Sequence, residues 1–137
     1  MSFDLFVECY GETKQIGIPK NAISSLFPIS REVVEFDRWV VEYDSLNRSD
    51  IFYSLIEEDK GRLTGLMVSR PCGDMRLWDA IFSVAQMGSV VVLWPGSRAV
   101  FAEGASLSAL PEGMLEDFGG PVFVHSGAEI LKLVQET

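Results

Sequence analysis

Five consecutive apolar residues, Val90-Val91-Val92-Leu93-Trp94, set the first limit on what this chain can fold into. A run that is apolar at every position and rich in β-branched residues predicts a strand covered on both faces. Pro95-Gly96 ends it. The stretch before it predicts an amphipathic helix leading straight into that strand. Leu77, Trp78, Ile81, Phe82, Val84 and Ala85 recur at helical spacing, with Arg76, Asp79, Ser83 and Gln86 opposite. Asp74 is placed to cap the helix with its carboxylate, and Gly88 to end it in the left-handed conformation. With a further strand over residues 63–69, this makes a strand–helix–strand unit of about thirty residues. Trp78, Phe82 and Trp94 are assigned to the core rather than to ligand stacking.

The rest of the chain adds shorter elements. Residues 3–9 read as a strand and residues 11–17 as a polar turn. Residues 20–27 read as a short helix entered at Pro19, and Pro28 ends it. Residues 33–43 alternate Trp39, Val41 and Tyr43 against Val40, Glu42 and Asp44, which predicts one continuous strand. Residues 51–57 place Ile51, Tyr53 and Leu55 on one side and Phe52, Ser54 and Ile56 on the other. Asp59-Lys60-Gly61 turns the chain into the strand over 63–69, completing an antiparallel meander. Past Trp94 glycines and prolines punctuate the chain. Strands are expected over 99–102 and 121–125, with a single helical turn over 111–118 between them. Leu107, Leu110, Met114, Leu115 and Phe118 anchor that segment as an ordered loop. Ser126 and Glu129 have the spacing of a capping box opening a last helix through Val134.

These elements predict a single α+β domain over residues 1–137. Its sheet is mixed and mainly antiparallel, with about five to six strands and two or three helices packed on it. In element order it resembles a ferredoxin-like arrangement with additions, a resemblance that carries no functional residues with it.

Charge narrows the function classes. The net charge is -9, which argues against nucleic acid and anionic membranes as partners. Residues 32–59 hold nine acids and only two bases, Arg38 and Arg48. No apolar run is long enough to span a bilayer and no signal peptide precedes the first strand, so a cytoplasmic protein is expected. Two cysteines, Cys9 and Cys72, fit a reducing compartment better than a disulfide framework.

Motifs for chemistry are sparse. One histidine, His125, and no C-x-x-C leave no metal-ligand spacing, and no phosphate-binding glycine loop or serine nucleophile elbow is present. Neither a metal nor a cofactor is expected. Cys72, just before a helix start and beside Arg70, is the one candidate nucleophile, with His125 as its only available base. Against that thiol-enzyme reading stands a binding protein. Glu42, Asp44, Asp50, Glu57, Glu58 and Asp59 fall near strand ends beside Trp39, Tyr43, Phe52 and Tyr53. Acids rimming aromatic anchors suit a basic protein partner. A compact, cysteine-poor, acidic chain is similar in general character to bacterial immunity proteins that block basic toxins. The expectation is therefore a non-catalytic protein-binding module of inhibitor type, with the thiol enzyme and a homo-oligomer subunit as alternatives.

Overall fold

The computed structural model describes residues 2–12 and 14–137. Met1, and Thr13 inside the turn expected over residues 11–17, lie outside the described residues. The described residues form one continuous mixed sheet, antiparallel except for a single parallel pair at one edge, with three α-helices. In chain order the elements are β1 (Asp4–Glu12), β2 (Gln15–Ile16), β3 (Ile18–Pro19), α1 (Lys20–Ser24), β4 (Ile29–Val33), β5 (Arg38–Asp44), β6 (Asn47–Ile56), β7 (Asp59–Ser69), α2 (Met75–Ala85), β8 (Ser89–Leu93), β9 (Ala99–Ala102), β10 (Pro121–Val124) and α3 (Gly127–Gln135).

The sheet has ten strands rather than the five or six expected. Part of the excess is the two short bridges β2 and β3, held where the Arg62 guanidinium donates to the carbonyls of Ile16 and Gly17 at 2.9 and 2.7 Å. Part comes from residues 33–43, which do not form one strand. The chain breaks at a 3-10 turn, Val34–Phe36, and Asp37 takes the left-handed region at φ 50°. Aspartate tolerates that region better than most side chains. The break leaves β4 and β5 as a hairpin at the sheet edge, with Val33 opposite Arg38. The first helix is also shorter than expected, ending at Ser24, and the single turn expected over 111–118 is a 3-10 turn at Asp117–Gly119.

Strands run in the order β10-β9-β8-β1-β7-β6-β5-β4. The unit β7–α2–β8 is split, because β1 lies between its two strands and pairs antiparallel with both. β8 explains its own composition. Val90 and Val92 face the main core, which holds Leu77, Trp78 and Ile81 of α2. Val91 faces the other way, against Ala99 and Phe101, under Leu107, Leu110, Met114 and Leu115 of the loop that follows β9. Both faces are dry, so Val90 to Leu93 are all apolar, and the buried Ser89 hydroxyl donates to the Ser106 carbonyl at 2.9 Å. Trp94 is buried too, and its indole N–H donates to Thr137 Oγ1 at 3.2 Å.

The helix ends follow local chemistry. Asp74 Oδ1 accepts the Arg76 amide at 2.9 Å, and its two carboxylate oxygens also accept Nε and Nη2 along one edge of the Arg76 guanidinium. Hydrogen bonds from the Arg76 side chain and then its amide hold the Asp74 carboxyl down from 3.8 to about 2. Gly88 is not in the left-handed helical region. It sits at φ 153°, where an added Cβ would come 3.0 Å from the Gly11 carbonyl oxygen, so glycine serves the close approach of chains. At α3, Ser126 Oγ accepts the Glu129 amide at 3.2 Å, but Glu129 reaches back to the amide of His125, one residue earlier than a capping box places it.

Two predictions come from these contacts. A Cβ on Gly127 would lie 2.5 Å from the backbone of Trp78, where α3 crosses α2. Gly127→Ala should therefore lower the denaturant midpoint, at a cost of about 1–3 kcal/mol from overpacking; unchanged stability would contradict that crossing. The low Asp74 pKa adds stability above pH 3.8 that is lost as pH falls through about 2. Asp74→Asn should therefore flatten the acid limb of the stability curve in that window, read by acid titration of the far-UV signal.

Candidate functional site

The β4–β5 turn leaves two large apolar side chains in water. Val34 is 69% exposed and Phe36 70% exposed, with Glu35 between them and Asp37 following. The turn is tied to the sheet where the Tyr53 amide donates to the Asp37 carbonyl at 2.9 Å. From Tyr53, β6 continues past the end of β5 to Ile56 and the Glu57-Glu58 turn. That extension is about 10 Å, at 3.3 Å per residue. Asp59 begins β7 and accepts the Gly61 amide through Oδ1 at 3.0 Å. One end of the sheet thus gathers Val34, Phe36, Glu35, Asp37, Glu57, Glu58 and Asp59. Among the described residues none of these five acids forms an ion pair. Lys60 lies in the same hairpin, and Lys20 is held by Glu32 at 2.8 Å.

The six acids expected as one rim do not lie together. Glu57, Glu58 and Asp59 belong to this end. Glu42, Asp44 and Asp50 lie toward the opposite end of β5 and β6, and β6 itself spans roughly 30 Å. Two of them lie near a cation and the third accepts hydrogen bonds. Arg48 Nε lies 3.7 Å from Glu42, and Arg38 Nη1 lies 3.9 Å from Asp50. Asp44 Oδ1 accepts the amides of Leu46 and Asn47, and the Asn47 side chain above all lowers its pKa. Of the aromatics, Trp39 and Tyr53 are core residues packed with ring centroids 4.8 Å apart and planes tilted by 35°, while Tyr43 and Phe52 are half-buried.

A hollow of about 500 Å³ opens beside α1, lined by Lys20, Asn21, Ser24, Ile29, Glu32 and Trp39. Its polar groups satisfy one another. Lys20 Nζ and the Tyr53 hydroxyl both donate to Glu32 Oε2. Those bonds, Lys20 first, lower the Glu32 pKa, while burial and then Glu32 raise that of Tyr53. The carboxylate is spent on internal partners.

Cys72 is half-buried in a loop fixed at both backbone groups. Its amide donates to Ser49 Oγ at 2.9 Å, and its carbonyl accepts Trp78 Nε1 at 3.0 Å. The nearby Tyr43 hydroxyl is buried with no hydrogen-bond partner, and burial, then Cys72, raises its pKa. His125 has an exposed side chain whose Nδ1 lies 3.6 Å from Glu129 Oε1. No hydrogen bond joins Cys72 to His125 among the described residues. Cys9 is buried, and burial followed by Glu8 pushes its thiol up to about 12. No three His, Cys, Asp or Glu side chains among the described residues converge as a metal site. Among the described residues no helix is long and apolar enough to cross a membrane.

No protein-family model, curated protein or solved structure matches this chain. The residues sequence reasoning passed over are Val34 and Phe36, hidden inside an expected strand. The four-residue string Val-Glu-Phe-Asp carried a usable signal, since its final aspartate is a residue type suited to a reversal.

The buried thiol gives a direct check. Cys9 should resist iodoacetamide at about pH 8 in the native protein and react once the protein is unfolded. Mass spectrometry showing Cys9 alkylated in the folded state would contradict its burial.

Proposed function

We propose that this protein binds a basic partner protein through the sheet end built by the β4–β5 and β6–β7 turns. In character it is an inhibitor of the immunity type, and it performs no chemistry of its own. One observation carries the reading: Val34 and Phe36 stand in water among five acids that have no ion-pair partner among the described residues. Exposed apolar anchors in a field of one sign provide both parts of fast, specific protein association. The charge steers encounter, and desolvation of the anchors holds the complex. The thiol alternative draws less support, since Cys72 and His125 have no contact that would make one the base of the other.

The interleaved order β8-β1-β7-β6 supports a ferredoxin-like reading of the sheet's centre, with β4 and β5 as an insertion after α1. On that reading the proposed contact surface lies partly on the insertion, where it can vary without disturbing the central strands.

The test is affinity capture from the source cell followed by kinetics on the captured protein. The wild type should retain a basic protein whose association rate falls at least about tenfold between low and high salt. Glu35→Lys with Glu57→Lys and Glu58→Lys should remove most of that salt dependence, and Phe36→Ser should speed dissociation. Capture that is indifferent to salt and to all four substitutions would overturn the proposal.

A further inference from the structure

The two faces of the sheet are covered unequally. One carries the helices. On the other, the loop bearing Leu107, Leu110, Met114 and Leu115 covers β8 and β9. Beyond it lies a hollow of about 540 Å³ over β1, β7 and β6, floored by Phe6, Phe52, Met67 and Gly65. Strand register makes this floor continuous. Arg38 pairs with Phe52, Phe52 with Met67, Met67 with Phe6, and Phe6 with Leu93. Directly paired residues point to the same face about 5 Å apart, so one cross-strand row runs from a guanidinium through three large apolar side chains. Phe6 is 39% exposed. Phe52 and Met67 are half-buried, so the strip is a shallow apolar floor open to a ligand.

The row ends in a cluster of cations. Arg31, Arg38 and Arg48 line a second hollow of about 220 Å³, with Asp50 among them. Their compensation is incomplete. Asp50 lies 3.9 Å from Arg38 and Glu42 lies 3.7 Å from Arg48, contacts too long for hydrogen bonds. Arg31 has no ion pair among the described residues. Arg38 Nε is buried without an acceptor. At the other side of the strip, the Tyr10 hydroxyl donates to Glu8 Oε2 at 2.6 Å. The face is thus polarised, with a carboxylate near one border and under-satisfied guanidiniums at the other.

We infer that this open face docks an acidic amphipathic segment of a partner protein, its apolar side chains over Phe52, Met67 and Phe6 and its carboxylates at Arg31, Arg38 and Arg48. Guanidinium groups bind carboxylates in paired, planar hydrogen bonds, and the exposed Arg31 and Arg48 offer their forks to such an acceptor with the partly exposed Arg38 between them. A nucleic acid strand fits worse, because its regular phosphates would run on into Glu8 and Asp50. The surface is separate from the acidic sheet end, and the inference does not rest on the basic-partner reading.

The probe is a labelled synthetic peptide with leucine and phenylalanine on one helical stripe and glutamates elsewhere. A matched peptide carries glutamine in place of glutamate, and binding is read by fluorescence anisotropy. A chain of net charge -9 repels the acidic peptide overall, so preference for it reports local chemistry. The wild type should bind the glutamate peptide about tenfold more tightly than the glutamine peptide. Arg38→Gln should abolish the preference. Arg31→Gln with Arg48→Gln, at more exposed positions, should do the same without disturbing the fold. Phe6→Ser should weaken both peptides. Glu57→Lys with Glu58→Lys should leave the preference intact, which separates this face from the acidic end. Absence of binding, equal affinity for the two peptides, or a preference that survives loss of the arginines would overturn the inference.

Discussion

The whole arrangement depends on β8 being dry on both sides. Val90 and Val92 lie against the core that includes α2, and Val91 lies beneath the loop after β9. A strand enclosed in this way must sit inside the sheet, and it brings β1 and β9 with it as neighbours. Burying a valine side chain contributes roughly 1.5–3 kcal/mol, so the three valines of β8 rank among the larger single commitments of the fold. The segment from residue 103 to residue 120 is therefore structural as well as connecting, because without Leu107, Leu110, Met114 and Leu115 the side chains of Val91 and Phe101 would face water.

Coverage is the theme that separates the two halves of the sheet. At β8 and β9 the loop closes the second face. At β1, β7 and β6 nothing among the described residues does, and the β4–β5 turn leaves Val34 and Phe36 in water. The uncovered regions are also where charge is least balanced. Among the described residues the acids of residues 35–37 and 57–59 form no ion pair, Arg31 forms none, and Arg38 Nε has no acceptor. Where a chain has neither buried its apolar groups nor neutralised its ions, a second molecule can do both.

Much of the architecture could be read from the residues alone. The capped helix at Asp74, the solid apolar run of β8 and the serine opening α3 are local signals, set by periodicity and by the needs of orphan backbone groups. The reversal at Asp37 had one local signal, the aspartate itself, and the strand-like alternation of residues 33–43 outweighed it. The surface was less legible still. Glu42 and Glu57 read as neighbours in one acidic stretch, yet successive strand ends alternate between opposite sides of a sheet, and the hairpins carry them apart. The row Arg38–Phe52–Met67–Phe6 joins four strands and exists only through strand order, which no spacing along the chain encodes. The outward side of residues 4–10, with Phe6, Glu8 and Tyr10 in alternation, hinted that this strand is amphipathic in an unusual sense, apolar inward and half-apolar outward.

β1 lies in the middle of the sheet, paired with β7 on one side and β8 on the other, so that Leu5 meets Val68 and Val7 meets Val92. A ribosome would release this strand long before either neighbour exists. Its edges stay unzipped until some sixty to eighty-five further residues have followed, apart from the short return through β2. Sequence-distant pairing of that kind slows folding and prolongs the interval in which a bare strand can find the wrong companion. Asp4 and Glu8, flanking its apolar positions, give the waiting strand like charges that keep two nascent copies apart.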